Sequence, residues 1–219
     1  AKTWYKMGHK QNIGTTMKMY DYPAPNAQKV KIFAHEKDIS IEYIQVDLLN
    51  HELRTPEMLN KNPMGTVPFL ELDDGKVIRE SRAIIEYLEG IKESPNMLGK
   101  DPLEKARIHE IDRLAELGLM IELAHYVHNI SPFFADKGPQ SKEAAEMALN
   151  CYKKNLRILE DSINGDEFLI FNRPTVADCT LFSTFTFAES IGVDDQNSFS
   201  KTMEWYKKFG NRSSTESKK

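Results

Sequence analysis

Cysteine is scarce in these 219 residues: only Cys151 and Cys179 occur, far apart and in no C-x-x-C pair. That excludes a disulfide framework and a cysteine metal cage, and it fits a reducing compartment. Long hydrophobic runs are missing as well. No segment approaches the roughly 20 apolar residues that cross a bilayer, and the first residues lack the apolar core of a secretory signal, so no membrane association is expected. Basic charge is not in excess. With 29 Lys and Arg against 33 Asp and Glu, the formal net charge is −4, which argues against nucleic acid as a partner. The expected location is cytoplasmic. Residues 1–16 carry Lys2, Lys6, His9 and Lys10 but no Asp, Glu, Arg or Ser. They read as a flexible N-terminal extension rather than a transit peptide, which is ordinarily rich in Arg and Ser.

What is present divides the chain in two. Residues 17–22 form a strand-like run, and after Pro23-Ala24-Pro25 a helical pattern opens at Asn26 with Val30, Phe33 and Ala34 on one face. The β-branched run 41–46 reads as a second strand parallel to the first, which makes a right-handed βαβ unit. A short helical piece at 56–60 precedes strands at 66–72 and 76–79, joined at Asp73-Asp74-Gly75, a strong hairpin signal. A helix from Ser81 to Glu89 completes a βαβαββα order, which suggests a thioredoxin-like domain over 17–90. Residues 91–102 are rich in Pro, Gly, Ser and Asn and read as a linker. Beyond them strand signals vanish. Ile108, Ile111, Leu114, Ala115, Leu117 and Gly118 recur at helical spacing, and a long helix is expected over 142–162. Residues 103–210 therefore read as an all-α domain, with 211–219 as a flexible tail.

Two local patterns carry the chemistry. The first is Asn62-Pro63-Met64-Gly65-Thr66-Val67-Pro68-Phe69-Leu70, followed by Glu80-Ser81-Arg82-Ala83-Ile84. A cis peptide bond before Pro68 would expose the backbone of Val67 at a sheet end, where an extended peptide can bind. Glu80 and Ser81 stand where helix N–H groups face outward and attract carboxylates. A short peptide with both amine and carboxylate groups fits that pair. Ser81 also suits a plain N-cap role worth about 1 kcal/mol. The second pattern is Thr175-Val176-Ala177-Asp178, a reciprocal capping box opening a helix whose apolar residues fall on nearly every side. Cys179 lies within that helix and Cys151 in the preceding one, and both read as structural thiols.

These strings resemble the N-P-x-G-x-V-P-x-L loop, the E-S-x-A-I helix start and the S/T-x-x-D core-helix box of cytosolic glutathione transferases, the bacterial-type, theta- or nu-like members in particular. The likeness runs from about Met17 to about Tyr206. It implies a glutathione-binding N-terminal half and a helical C-terminal half, glutathione as co-substrate, a small electrophilic substrate, no metal, and a twofold homodimer. It implies further that Glu80 and Ser81 hold the γ-glutamyl end and that Val67 and Pro68 bind the cysteinyl portion. The family often places a His and a Lys near the glycyl carboxylate; here those positions hold Leu53 and Thr66. His51 and Arg54 stand nearby and could substitute, but each fits a solvated loop residue better, and glycyl recognition stays open.

Thiol activation belongs to the turn Tyr22-Pro23-Ala24-Pro25-Asn26. A thiol with a pKa near 8.5 becomes a good nucleophile when a helix start or a donor stabilises its thiolate. No Cys or Ser lies between Met17 and Lys37, so an enzyme–glutathione mixed disulfide at this turn is excluded. Where similar bacterial-type members have Thr-Pro-Asn, this chain has Ala24-Pro25-Asn26. Asn26 ranks first as catalytic donor, with an N-cap role equally open, and Tyr22 ranks second; Tyr20 could also supply a phenol, but Asp21 stands nearest the position where the family usually has its tyrosine. Met120, His125, Tyr126, His128, Phe133 and Phe134 could wall an electrophile pocket, although their spacing also fits core packing. The expected activity is transfer of glutathione to an electrophile, or its use to reduce a peroxide or disulfide. The alternative is a binding or assembly module that keeps the fold without turnover.

Overall fold

The computed structural model describes residues 17–164 and 167–216; the expected extension over 1–16 and the last three residues of the tail lie outside the described residues. Strand β1 (Lys18–Asp21) runs into helix α1 (Pro25–Glu36), β2 (Glu42–Gln45), the short α2 (Pro56–Lys61), β3 (Phe69–Glu71), β4 (Val77–Arg79) and α3 (Ser81–Ile91). The four strands lie in the order β2-β1-β3-β4. β1 is parallel to β2 and antiparallel to β3, and β4 is antiparallel to β3. The hairpin turns where Asp-Gly chemistry places it, with Gly75 at φ 77°.

Period-two alternation assigns the two sheet faces. Met19 and Leu70 face α1 and α3, where Val30, Phe33, Ile84, Ile85 and Leu88 are buried. Tyr20 and Phe69 face the other way, onto Met58 of α2 and Leu53, and their rings stack with centroids 4.3 Å apart. Each fully buried Phe or Leu contributes about 2 kcal/mol of transfer free energy.

The second half is helical: α4 (Pro102–Arg113), α5 (Ile121–Ile130), α6 (Lys142–Ser162), α7 (Val176–Ser190) and α8 (Ser200–Gly210). Leu114–Met120 form a π-helical turn between α4 and α5, with the Gly118 carbonyl taken by Asn155 Nδ2 at 2.8 Å. One extra residue in that turn rotates Leu117 out to half exposure.

Helix α7 is the axis of the molecule and is buried nearly all round. Its capping box is in place, and Asp178 also accepts the Leu169 N–H at 2.9 Å and the Trp205 indole N–H at 3.0 Å. Burial raises the pKa of this carboxyl against those donors. Cys179 beside it is buried, and burial pushes its thiol well up.

Residues 211–216 depart from the expected flexible tail. A short turn, Ser213–Thr215, packs against the end of α1, with Ser214 and Thr215 buried. Arg212 grips Glu36 through Nε–Oε1 at 2.7 Å and Nη2–Oε2 at 2.9 Å, a bidentate pair that holds the segment down. Burial raises the Glu36 carboxyl pKa, but Arg212 and Ser214 outweigh it and leave the pKa below the ordinary range.

Candidate functional site

Helix α1 begins one residue earlier than the pattern at Asn26 suggests, because Pro25 takes the first helical position, where its missing N–H costs nothing. Ala24 is the N-cap and has no side chain to close the helix. The N-cap reading of Asn26 is thereby corrected. Asn26 sits inside the first turn, and its side-chain Oδ1 accepts the Ser81 hydroxyl at 3.2 Å. With its oxygen so engaged, the amide Nδ2 is left to donate elsewhere.

Ser81 is likewise not the N-cap of α3. Glu80 holds that position at φ 71° and ψ 125°, with no side-chain cap. Positive φ at a non-glycine residue costs of order 1–3 kcal/mol and clusters at ligand sites. Ser81 is buried and Glu80 exposed. Two helix starts without side-chain caps are thus joined by the Asn26–Ser81 hydrogen bond, so their partial positive charges converge.

The 62–68 loop borders this junction. Val67–Pro68 is cis, and the β3–β4 ladder begins only at Phe69, which leaves the half-buried Val67 outside it. Buried Asn62 holds the loop: Nδ2 donates to the Thr66 carbonyl at 2.8 Å, and Oδ1 accepts the Met64 N–H at 3.2 Å. Gly65 is at φ 59°, and a Cβ there would lie 2.6 Å from Arg54 Nη1. The exposed Arg54 guanidinium is therefore pressed against the loop, whereas Leu53 points into the core under the sheet. Nothing in the spacing of Arg54 and Gly65 announces that contact.

Charges also stand behind the junction, and sequence reasoning does not find them. Lys29, buried on α1, meets Glu116 of the π-helical turn at 2.6 Å. Burial raises the Glu116 pKa, but Lys29 and then Arg113 and Arg82 outweigh it and hold the pKa low. Arg82, next to Ser81, lies 3.6 Å from Asp112, whose other oxygen takes the Thr180 hydroxyl at 2.6 Å. These pairs join helices from both halves, and only the folded chain brings them within reach.

The remaining candidates separate. Tyr20 points to the α2 side of the sheet, where its hydroxyl donates to Glu71 at 2.9 Å. Asp21 is fully buried and bound to Lys31 and Gln45 through one oxygen. Tyr22 lies in the β1–α1 turn and lines a cleft of about 650 Å³ with Pro23, Ala24 and Pro25, against Thr186, Phe187 and Ser190 of α7. That cleft opens on the β2 side of β1, whereas Val67, Pro68, Glu80 and Ser81 lie on its β3–β4 side. None of Met120, His125, Tyr126, His128, Phe133 or Phe134 lines it. Met120 is buried, and His128 packs on the Phe134 ring. Among the described residues no group of three or more His, Cys, Asp and Glu could hold a metal, and no helix is long and apolar enough to cross a membrane.

Known proteins match this arrangement along most of the chain. Residues 19–96 match the family model described as the N-terminal domain of glutathione S-transferase, and residues 125–216 match that of its C-terminal domain. Glutathione S-transferase 2 of Saccharomyces cerevisiae is 32% identical over 93% of this chain and 91% of its own length. A maleylacetoacetate isomerase of Pseudomonas aeruginosa is 30% identical over 81% of this chain and 84% of its own. Among solved structures, Gtt2 from Saccharomyces cerevisiae superposes with a TM-score of 0.84 at 30% identity, over 91% of this chain and 99% of that one.

Proposed function

Because the chain belongs to the glutathione S-transferase family, we propose that it binds glutathione where α1, α3 and the 62–68 loop meet. There it stabilises the thiolate and passes the sulfur to a small electrophile, or uses it to reduce a peroxide or disulfide. The observation that carries the reading is the Asn26–Ser81 hydrogen bond joining two helix starts that no side chain caps. Glu80 takes the γ-glutamyl amine and Ser81 the γ-glutamyl carboxylate. Val67, beside Pro68, pairs its backbone with the cysteinyl residue in the manner of an added strand. Arg54, beside Gly65, is the cation placed for the glycyl carboxylate. The sulfur then lies near the start of α1, where Asn26 Nδ2 and the open first turn favour the anion. Tyr22 is the second-ranked donor. The protein acts as a homodimer in the cytoplasm.

Calorimetric titration with glutathione, followed by product analysis with an aryl halide and with a small disulfide, tests the reading. Binding together with turnover of either substrate is expected, and the product identifies the dominant reaction. A folded protein that gives no binding signal would overturn the assignment. A second reading, binding without turnover, is favoured by Ala24, which puts no hydroxyl in the turn; retention on immobilised glutathione with no product from either substrate would select it.

A further inference from the structure

Lys29 lies one helical turn past Asn26 on α1, so the two side chains share a face of that helix. Asn26 bonds to Ser81 at the start of α3, and Lys29 reaches the π-helical turn Leu114–Met120. The Lys29 side chain is only 1% exposed. Its Nζ meets one acceptor among the described residues, Glu116 Oε1 at 2.6 Å. An ammonium carries three donors, and burying one is expensive. An apolar side chain of the same length would fill this space without that cost, so the charge itself calls for an explanation.

Glu116 is not reserved for Lys29. Its Oε2 accepts Arg113 Nη1 at 2.7 Å, so two cations share one carboxylate. Arg113 is half exposed and screened by water, whereas Lys29 is not. The other charges near the first turn of α1 are matched among themselves. Arg82 is divided between Asp112 and the exposed Glu86, helix α7 contributes the Thr180 hydroxyl to Asp112, and Asp21 of β1 holds Lys31 at 2.6 Å. Glu80, at the start of α3, faces solvent. The Cα–Cβ bond of a helical residue tilts toward the N-terminus, which leans the Lys29 stem toward the open start of α1. An incompletely neutralised ammonium therefore stands behind the turn that, by the proposed function, lies beside the glutathione sulfur.

We propose, resting on that proposed function, that Lys29 is the buried cation that stabilises the bound thiolate from behind α1, and that Glu116 sets how much of its charge reaches the sulfur. Neither residue touches glutathione; both act through the field at the first turn of α1. A pair that only braced α1 against the π-helical turn would need a hydrogen bond but no charge. That difference is measurable.

The test follows thiolate absorbance against pH in the glutathione complexes of the wild type, Lys29→Gln and Lys29→Gln/Glu116→Gln, with folding checked by urea denaturation. Gln keeps a donor for Glu116 and drops the charge. For a charge roughly 10 Å from the sulfur at an effective dielectric near 20, the pKa of the bound thiol should rise by about one unit in Lys29→Gln. In the double variant, loss of the Glu116 charge should return it to within about 0.3 of the wild-type value. An unchanged thiol pKa in a folded Lys29→Gln that binds glutathione would overturn the proposal, as would a rise that the second substitution leaves in place or enlarges. If Lys29→Gln does not fold, Arg113→Gln decides. From its half-exposed position it leaves Glu116 wholly to Lys29, so the thiol pKa should rise by about 0.3, and no rise would overturn the proposal. Absence of glutathione binding in the wild type would instead overturn the reading it rests on.

Discussion

Helices α1 and α7 lie against each other across the two halves of the molecule, yet their N-termini are built in opposite ways. The start of α7 is closed: Thr175 and Asp178 form a capping box, and Asp178 gathers two more donors from Leu169 and Trp205. The start of α1 is open, with Ala24 at the cap and Pro25 behind it. Elsewhere the pattern follows α7. Thr55, Asp101 and Ser141 cap α2, α4 and α6 with their side chains, and Glu160 reaches across to the first N–H groups of α8. Of the described helices that begin from a loop, only α3, whose start is bonded to that of α1, shares the open form. A side-chain cap stabilises a helix by satisfying its own donors. Where it is left out, those donors are available to a ligand.

Four substitutions probe that contrast. The largest effect is expected at the closed end. Asp178→Ala strands the donors of Thr175, Leu169 and Trp205 in the core and should lower unfolding free energy by about 3 kcal/mol or more, measured by urea denaturation. A loss no larger than that of a surface mutant would remove the distinction between the two ends. At the open end, Ser81→Ala should leave stability within about 1 kcal/mol of wild type while weakening glutathione binding roughly tenfold by calorimetry. Unchanged affinity would take Ser81 out of the site. Closing the open end is the sharpest variation: Ala24→Asp supplies the absent cap. It should raise stability by about 1 kcal/mol and lower turnover, since its carboxylate competes with the thiolate for the same donors. A gain in both would contradict the view that the missing cap serves the ligand.

The smallest effect at neutral pH concerns the other end of α1, where Glu36 is held by Arg212 and Ser214. Its folded pKa lies below the ordinary carboxylate value, since those two partners outweigh the opposing push of burial. The unfolded chain therefore binds this proton more tightly. The stabilisation is complete above the unfolded pKa and fades as pH falls through the folded one. Glu36→Gln should flatten the acid limb of the stability profile below about pH 4.5, the ordinary carboxylate region, as followed by thermal unfolding across pH. An acid limb as steep as that of the wild type would count against the pairing.

The βαβαββα order, the Asp-Gly hairpin, the span of α6 and the capping box of α7 are all legible in the chain, because each rests on residues within one turn or one repeat of each other. The family strings likewise point to Val67, Pro68, Glu80 and Ser81. Legibility fails where partners are remote. Asn26 and Ser81 look like N-caps by residue type, but the caps are Ala24, two residues earlier, and Glu80, one residue earlier, and the side chains of Asn26 and Ser81 then find each other across 55 positions. The π-helical turn at Leu114–Met120 inserts a residue that spacing of three and four does not register. Lys29 with Glu116, Arg82 with Asp112 and Arg212 with Glu36 are contacts of the folded molecule alone. Composition assigns such charges to solvent, and burial reverses that assignment.

The open start of α1, with Asn26 beside it, is expected to lower the pKa of a bound thiol. Ultraviolet absorbance of the glutathione thiolate, titrated against pH in complex with the wild type and with Asn26→Ala and Tyr22→Phe, measures it directly. The expected result is a bound thiol pKa roughly one to two units below that of free glutathione, a rise toward the free value in Asn26→Ala, and little change in Tyr22→Phe. A bound thiol that titrates like free glutathione in the wild-type complex would contradict it.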